Sequence, residues 1–244
     1  MRFITKKNRV PLLDTFRDNH PYHGEKVSDF WGKLYHSDNG TTKTMVFNHI
    51  LGEQKFLCGY CQQKMRVKNN ENKKGHVEHV IPKSFNPKLI FEYNNLIVSC
   101  DGYDHTGAEI QKIYEFCGHR KDREEPGAQA PRFQQNLFLN PTTVSDVELF
   151  FKYDMFGRID ANEKWKDLNQ SEIEGRCEKA NYMIRILDLN HSKLIEMRKT
   201  QYTIIVNALS KKKYTIEEIL DENRESLEAF HSMIKYRFSE LKFG

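Results

Sequence analysis

The chain has 244 residues and a net charge of +4, with 38% hydrophobic and 30% charged residues. That suits one buried core with elaborations, and no run of about eighteen apolar residues marks a membrane span. The start, Met1-Arg2-Phe3-Ile4-Thr5-Lys6-Lys7, is basic but leads into no apolar segment, so no secretion signal is expected. A cytoplasmic protein is the expectation, with its five cysteines present as thiols rather than disulfides.

Residues 1–57 read as a helical lead-in. Pro11-Leu12-Leu13-Asp14 is expected to open a short helix, and Phe30, Trp31, Leu34 and Tyr35 follow helical spacing as an apolar stripe. Ser37-Asp38-Asn39-Gly40 signals a turn. Another helix is expected over Thr44–Gly52, with Val46, Phe47, Ile50 and Leu51 on one side. His20, His23, His36 and His49 show no ligand spacing and are expected on the surface or in packing.

Residues 58–136 hold the chemistry. Polar Val67–Gly75 predicts a loop. A strand is expected over His76–Ile81, closed by Pro82, which offers no N–H to a ladder. Asn86-Pro87 marks a turn, and Leu96–Ser99 a second strand. Ala108–Phe116 is expected to be helical, and a further helix to begin near His119. Residues 122–136, with Glu125-Pro126-Gly127 and Ala130-Pro131, read as a connecting loop.

Residues 137–244 begin with a predicted hairpin of Phe150–Asp154 and Gly157–Ile159 around Met155-Phe156-Gly157. Ser171 with Glu174 reads as a capping box. Ile173, Cys177, Ala180, Ile184 and Leu187 then form a buried helical face, which makes Cys177 a core residue rather than a ligand. Asn190 is the expected cap of a helix running to about Leu209, and Thr215 with Glu218 a second capping box. Leu227, Phe230, Ile234, Phe238 and Leu241 mark a last helix. Such a stripe suits the chain's own core or a partner's groove. The basic run Lys211-Lys212-Lys213 between helices suits a solvated loop or a polyanion contact.

The Cys58-Gly59-Tyr60-Cys61 knuckle presents two thiolates to one tetrahedral ion, and Cys100 and Cys117 are available to complete a structural zinc site, with His105 as a rival fourth ligand. Between these cysteines stands Glu78-His79. Neutral imidazole accepts a proton near neutral pH, so His79 suits the base that activates water. Glu78 suits a hard cation such as Mg²⁺. Neighbours in a regular strand face opposite sides, so both line one site only if the strand bends or ends there.

Together, the knuckle, Glu78-His79-Val80-Ile81-Pro82, Asn95-Leu96, and Cys117 with His119 two residues on resemble the HNH nucleases. The opening Met1-Arg2-Phe3-Ile4 with its lysines and Pro11, the Pro82-Lys83-Ser84 run and the split Cys100/Cys117 pair look like the PtuB subfamily of Septu and retron-linked anti-phage systems. The resemblance covers residues 1–121 well and the helical half loosely. It implies an α+β fold: a zinc-stapled ββα-metal core with N-terminal and C-terminal helical elaborations. It implies Glu78 and His119 as ligands of catalytic Mg²⁺ or Mn²⁺, His79 as base, and Asn95 as the residue that orients it. Asn94 is a one-residue rival. His119 stands one residue later than the family's spacing, and His76, on the same strand face as Glu78, is an alternative ligand. Lys121 resembles the lysine that ends the motif and contacts phosphate, and Lys83 is a second candidate binding residue. The implied partners are a nucleic acid substrate, a PtuA-like ATPase, and a retron reverse transcriptase with its RNA–DNA product. DNA and structured RNA such as tRNA are both open as substrates. A non-catalytic zinc-ribbon module is the alternative from another class.

Overall fold

The structure, a computed structural model, describes residues 1–65, 75–102, 116–121 and 133–240. His105, Leu241 and nearly all of the expected segments 67–75, 108–116 and 122–136 lie outside the described residues.

Three helices open the chain. α1 (Pro11–Asn19) starts on a proline whose fixed φ suits a first helical turn. α2 (Val27–His36) buries Phe30, Trp31 and Leu34 and leaves Tyr35 exposed. α3 begins at Thr41, earlier than expected, and runs to Glu53. Gly40 turns the chain at φ 80°, and the Asp38 carboxylate accepts the Thr42 N–H at 2.9 Å. That carboxylate takes up a donor that the helix start leaves without an intrahelical partner.

The central unit is an antiparallel pair, β1 (Gly75–His79) with β2 (Leu96–Cys100), followed by the single turn α4 (Gly118–Lys121). Val77 pairs with Val98 and His79 with Leu96. β1 ends at His79 rather than Ile81, because the Ile81 N–H goes to the Asn95 side chain at 2.8 Å instead of to a strand partner. A second antiparallel pair, β3 (Phe151–Tyr153) with β4 (Ile159–Ala161), forms the expected hairpin, with a shorter first strand and a second strand shifted two residues downstream. Asp154 Oδ1 accepts the N–H groups of Phe156 and Arg158 at 2.9 and 2.8 Å, which closes its turn.

Helices complete the fold. α5 (Gln170–Ile186) is capped by Asn169 with Glu172, not by Ser171 with Glu174. Both pairs have a capping-box spacing, and the upstream one starts the helix two residues earlier. Its buried residues are Ala180, Tyr182, Met183 and Ile186, whereas Cys177 is half-buried and donates to the Asn162 carbonyl at 3.7 Å. α6 (Ser192–Ser210) is capped by His191. Asn190 is engaged instead with both backbone groups of Ile159, at 2.9 and 2.8 Å. α7 (Ile216–Leu220) carries the expected Thr215–Glu218 capping box. α8 spans His231–Glu240, so Leu227 and Phe230 precede it. No helix among the described residues is long and apolar enough to cross a membrane.

The fold is α+β, and one buried apolar cluster runs through it, from Met1 and Ile4 through Leu51, Ile97 and Phe151 to Met183 and Ile234. Phe230 and Ile234 sit inside it, and Leu227 is buried as well, all at 3% exposure or less. Phe238 packs half-buried against the same cluster, so the described part of the C-terminal stripe faces the chain's own core. Gln62, next to the cysteine knuckle, donates to Ser232 Oγ at 2.8 Å and accepts the Ser232 N–H at 2.9 Å, which ties α8 to the central unit.

Candidate metal centres and active site

The four expected cysteines converge although up to 59 residues separate them. Their sulfurs lie within 4.8 Å of one another, and all four residues are buried. Cys58 Sγ is 3.9 Å from Cys117 Sγ, and Cys61 Sγ is 3.8 Å from Cys100 Sγ. Four sulfurs at about 2.3 Å from one tetrahedral ion stand about 3.8 Å apart, so this set has the dimensions of a metal centre. The local backbone is shaped for it. Gln62, just past the knuckle, and Cys117 both take left-handed conformations, with φ 66° and 61°. These turn the chain so that the Gln63 N–H reaches Cys61 Sγ at 3.5 Å, while the Cys100 N–H reaches Cys58 Sγ at 3.3 Å. Burial pushes the Cys100 and Cys117 thiols well up, whereas hydrogen bonds from the other three thiols outweigh burial at Cys58 and hold it well down.

A second cluster adjoins the first, with Asp101 directly after Cys100 and His119 two residues after Cys117. His76 and Glu78 project from one face of β1, Asp101 follows β2, and His119 lies on α4. His76, Asp101 and His119 place one ligand atom each within 4.8 Å of one another. The His76 and His119 rings are 4.0 Å apart. Glu78 is 4% exposed; its Oε2 lies 3.2 Å from His76 Nε2 and its Oε1 2.6 Å from Lys121 Nζ. Burial alone would raise the Glu78 pKa, but the Lys121 cation and His76 hold it well below the usual carboxylate range. His76 is raised to about 9, because hydrogen bonds to Asp101 and Glu78 outweigh its burial. Gly118 makes room for this cluster: a Cβ there would stand 2.7 Å from Glu78 Oε2 and 3.0 Å from His76 Nε2.

His79 points the other way from Glu78. Its ring meets Trp31 of α2 edge-on at 4.6 Å, and its Nε2 is 3.0 Å from the Ile90 carbonyl. A carbonyl only accepts, so Nε2 carries the proton and Nδ1 the lone pair. Burial and the Lys83 charge push its pKa down to about 3, which keeps the ring neutral. Asn95 does not touch that ring. It accepts the Ile81 N–H at 2.8 Å and donates to the Ile81 and Leu89 carbonyls at 3.1 Å. It thereby pins the loop whose Ile90 carbonyl holds His79. Asn94 is exposed, and its backbone carbonyl accepts from Thr142 at 3.0 Å. Lys83 Nζ lies 6.0 Å over the Trp31 ring, on the His79 side.

Lys121, expected at a phosphate, is instead buried, with its amine shared between Glu78 and the His79 and Val80 carbonyls. Lys121→Met would leave Glu78 an uncompensated buried charge, and a loss of about 3–5 kcal/mol is expected in urea unfolding at neutral pH. In the parent the stabilising pair is present above the unfolded carboxylate pKa of about 4.3 and is lost as pH falls. The gap between parent and variant should therefore narrow toward acid. A variant as stable as the parent at neutral pH would refute the pairing.

Asp101 was not singled out from the sequence. Its one signal is its position directly after Cys100, at the end of a strand paired with the His76–Glu78 strand. No family model matches the chain. Over 211 residues, 82% of this chain and 78% of its counterpart, it is 24% identical to an Escherichia coli protein named "Retron Ec83 putative HNH endonuclease".

Proposed function

We propose that this chain is a metal-dependent HNH endonuclease of the PtuB type that hydrolyses phosphodiester bonds of DNA, or of RNA such as tRNA. The observation that carries this is that a buried four-cysteine cluster, joining the 58–61 knuckle to the end of β2 and the start of α4, adjoins a His–Asp–His cluster on the same strand pair and turn. The similarity to the retron protein points the same way. The cysteine set fits structural zinc, which is four-coordinate with no open position. The converging donors of His76, Asp101 and His119, with the motif residue Glu78 beside them, fit the catalytic divalent ion, Mg²⁺ or Mn²⁺. Bound there, such an ion would stabilise negative charge on the leaving oxygen. In this reading His79, neutral and with the lone pair on Nδ1, is the base that takes the proton from the attacking water, although the residue is 3% exposed and its ring stands on the strand face opposite the His76 cluster. Asn95 fixes the loop that fixes His79, and Lys83 contributes a phosphate contact. The central unit, residues 58–136, performs the chemistry, and residues 1–57 and 137–244 support it.

In this proposal the protein is a cytoplasmic toxic effector of a Septu or retron anti-phage system. It is restrained by a PtuA-like ATPase, within a complex that also holds reverse transcriptase and its RNA–DNA product. Co-expression with the neighbouring ATPase should give one peak in size exclusion, and the freed chain with Mn²⁺ should cut DNA or total RNA. Separate elution at micromolar concentration would reject the partner. A folded, zinc-loaded chain that cuts neither polymer would instead favour a zinc-ribbon binding module.

A further inference from the structure

The expectation from the Glu-His motif is that Glu78 ligates the catalytic ion. We propose instead that the ion is held by His76 Nδ1, Asp101 and His119 Nε2, with Glu78 outside the coordination shell as the carboxylate that orients His76. This rests on the nuclease reading only in taking the ion as the catalytic one.

The two nitrogens of His76 face different partners. Nδ1 lies 3.4 Å from Asp101 Oδ1, and the same oxygen is 3.9 Å from His119 Nε2. Ligands held by one ion at about 2.0–2.2 Å lie roughly 3–4 Å apart, so these three atoms already have nearly the required spread. On the far side of the ring, Nε2 lies 3.2 Å from Glu78 Oε2. A histidine that ligates a metal through one nitrogen commonly donates its other N–H to a carboxylate, which fixes its tautomer and orientation. Glu78 is in turn engaged elsewhere: its Oε1 accepts from Lys121 Nζ at 2.6 Å and from the Tyr60 hydroxyl at 3.4 Å. A carboxylate neutralised by a buried lysine is a poor ligand and a good anchor. Exposure divides the residues the same way. The His76, Asp101 and His119 side chains are 26%, 16% and 31% exposed, which admits an ion from solvent, whereas Glu78 is 4% exposed.

The donor set also sets the preference among metals. Mg²⁺ favours oxygen ligands and retains its waters, while imidazole nitrogens favour transition ions. Two imidazoles and one carboxylate therefore select Mn²⁺ over Mg²⁺.

The test uses the full chain with zinc loaded on its cysteines, and Mn²⁺ alone as the probe. Electron spin-echo envelope modulation of bound Mn²⁺ should show two imidazole nitrogens in the parent and one in His76→Ala. Titration should show Asp101→Asn weakening Mn²⁺ by at least about tenfold. Glu78→Gln, which keeps an oxygen for the His76 N–H, should weaken it less than Asp101→Asn. Mg²⁺ should displace Mn²⁺ only in excess. One imidazole in the parent, a Glu78→Gln loss larger than that of Asp101→Asn, equal affinities for the two ions, or no Mn²⁺ bound at millimolar concentration would each overturn the assignment. The parent spectrum decides the matter even if Glu78→Gln fails to fold. A protein that binds Mn²⁺ through two imidazoles yet cuts no nucleic acid would sink the nuclease reading and leave this site standing.

Discussion

Cys58→Ser is expected to unfold the central unit. Its sulfur joins the knuckle to Cys117 at the start of α4, 3.9 Å away, and accepts the Cys100 N–H at the end of β2. Three chain segments thus meet at one point, and β1 with β2 is only a two-stranded pair. Such a hairpin is marginal by itself. Structural zinc contributes about 10–16 kcal/mol in small peptides, which equals or exceeds the whole stability of most domains, about 5–15 kcal/mol. One zinc per chain is expected by metal analysis of the parent. In the variant, zinc should be lost together with the near-ultraviolet circular dichroism. Cys177→Ser, on α5 and outside the cluster, should keep both. A Cys117→Ala protein with full zinc and an unchanged melting temperature would show that Cys117 is not a ligand and overturn the four-cysteine site.

His79→Ala is expected to lower cleavage by about 10²–10⁴-fold, the usual contribution of a positioned general base. Zinc content and Mn²⁺ affinity should stay at parental levels, because the ring faces Trp31 and the Ile90 carbonyl rather than the His76 cluster. Truncation removes the hydrogen bond to Ile90 and leaves that carbonyl without its donor, at a cost of about 1–3 kcal/mol. Rates should accordingly be compared at a temperature where both proteins are folded by circular dichroism. A folded His79→Ala protein with parental turnover on any nucleic acid would place the proton acceptor elsewhere.

Several features were legible in the sequence because they depend on neighbours along the chain. The Thr215–Glu218 box, the turn at Met155-Phe156-Gly157 and the stripe of Phe30, Trp31 and Leu34 all lie within one or two turns of backbone. The cysteine knuckle is local in the same sense. Where two local signals competed, residue order alone did not choose: Asn169 capped α5 in place of Ser171, and Asn190 was drawn away from α6 by the Ile159 backbone. Other features were decided only by the tertiary structure. The last apolar stripe has the same pattern whether it faces its own core or a partner's groove, and only packing buries Leu227, Phe230 and Ile234 inside this chain. Lys121 looks like a phosphate contact until the fold brings Glu78 to 2.6 Å and makes it a counter-ion. Asp101 has no motif at all. It reaches His76 because the antiparallel register pairs His76 with Ser99, so Asp101, two residues beyond Ser99, lies diagonally across from His76. A pairing across 25 residues is set by which strand faces bury their side chains, and that is a property of the folded sheet rather than of either segment.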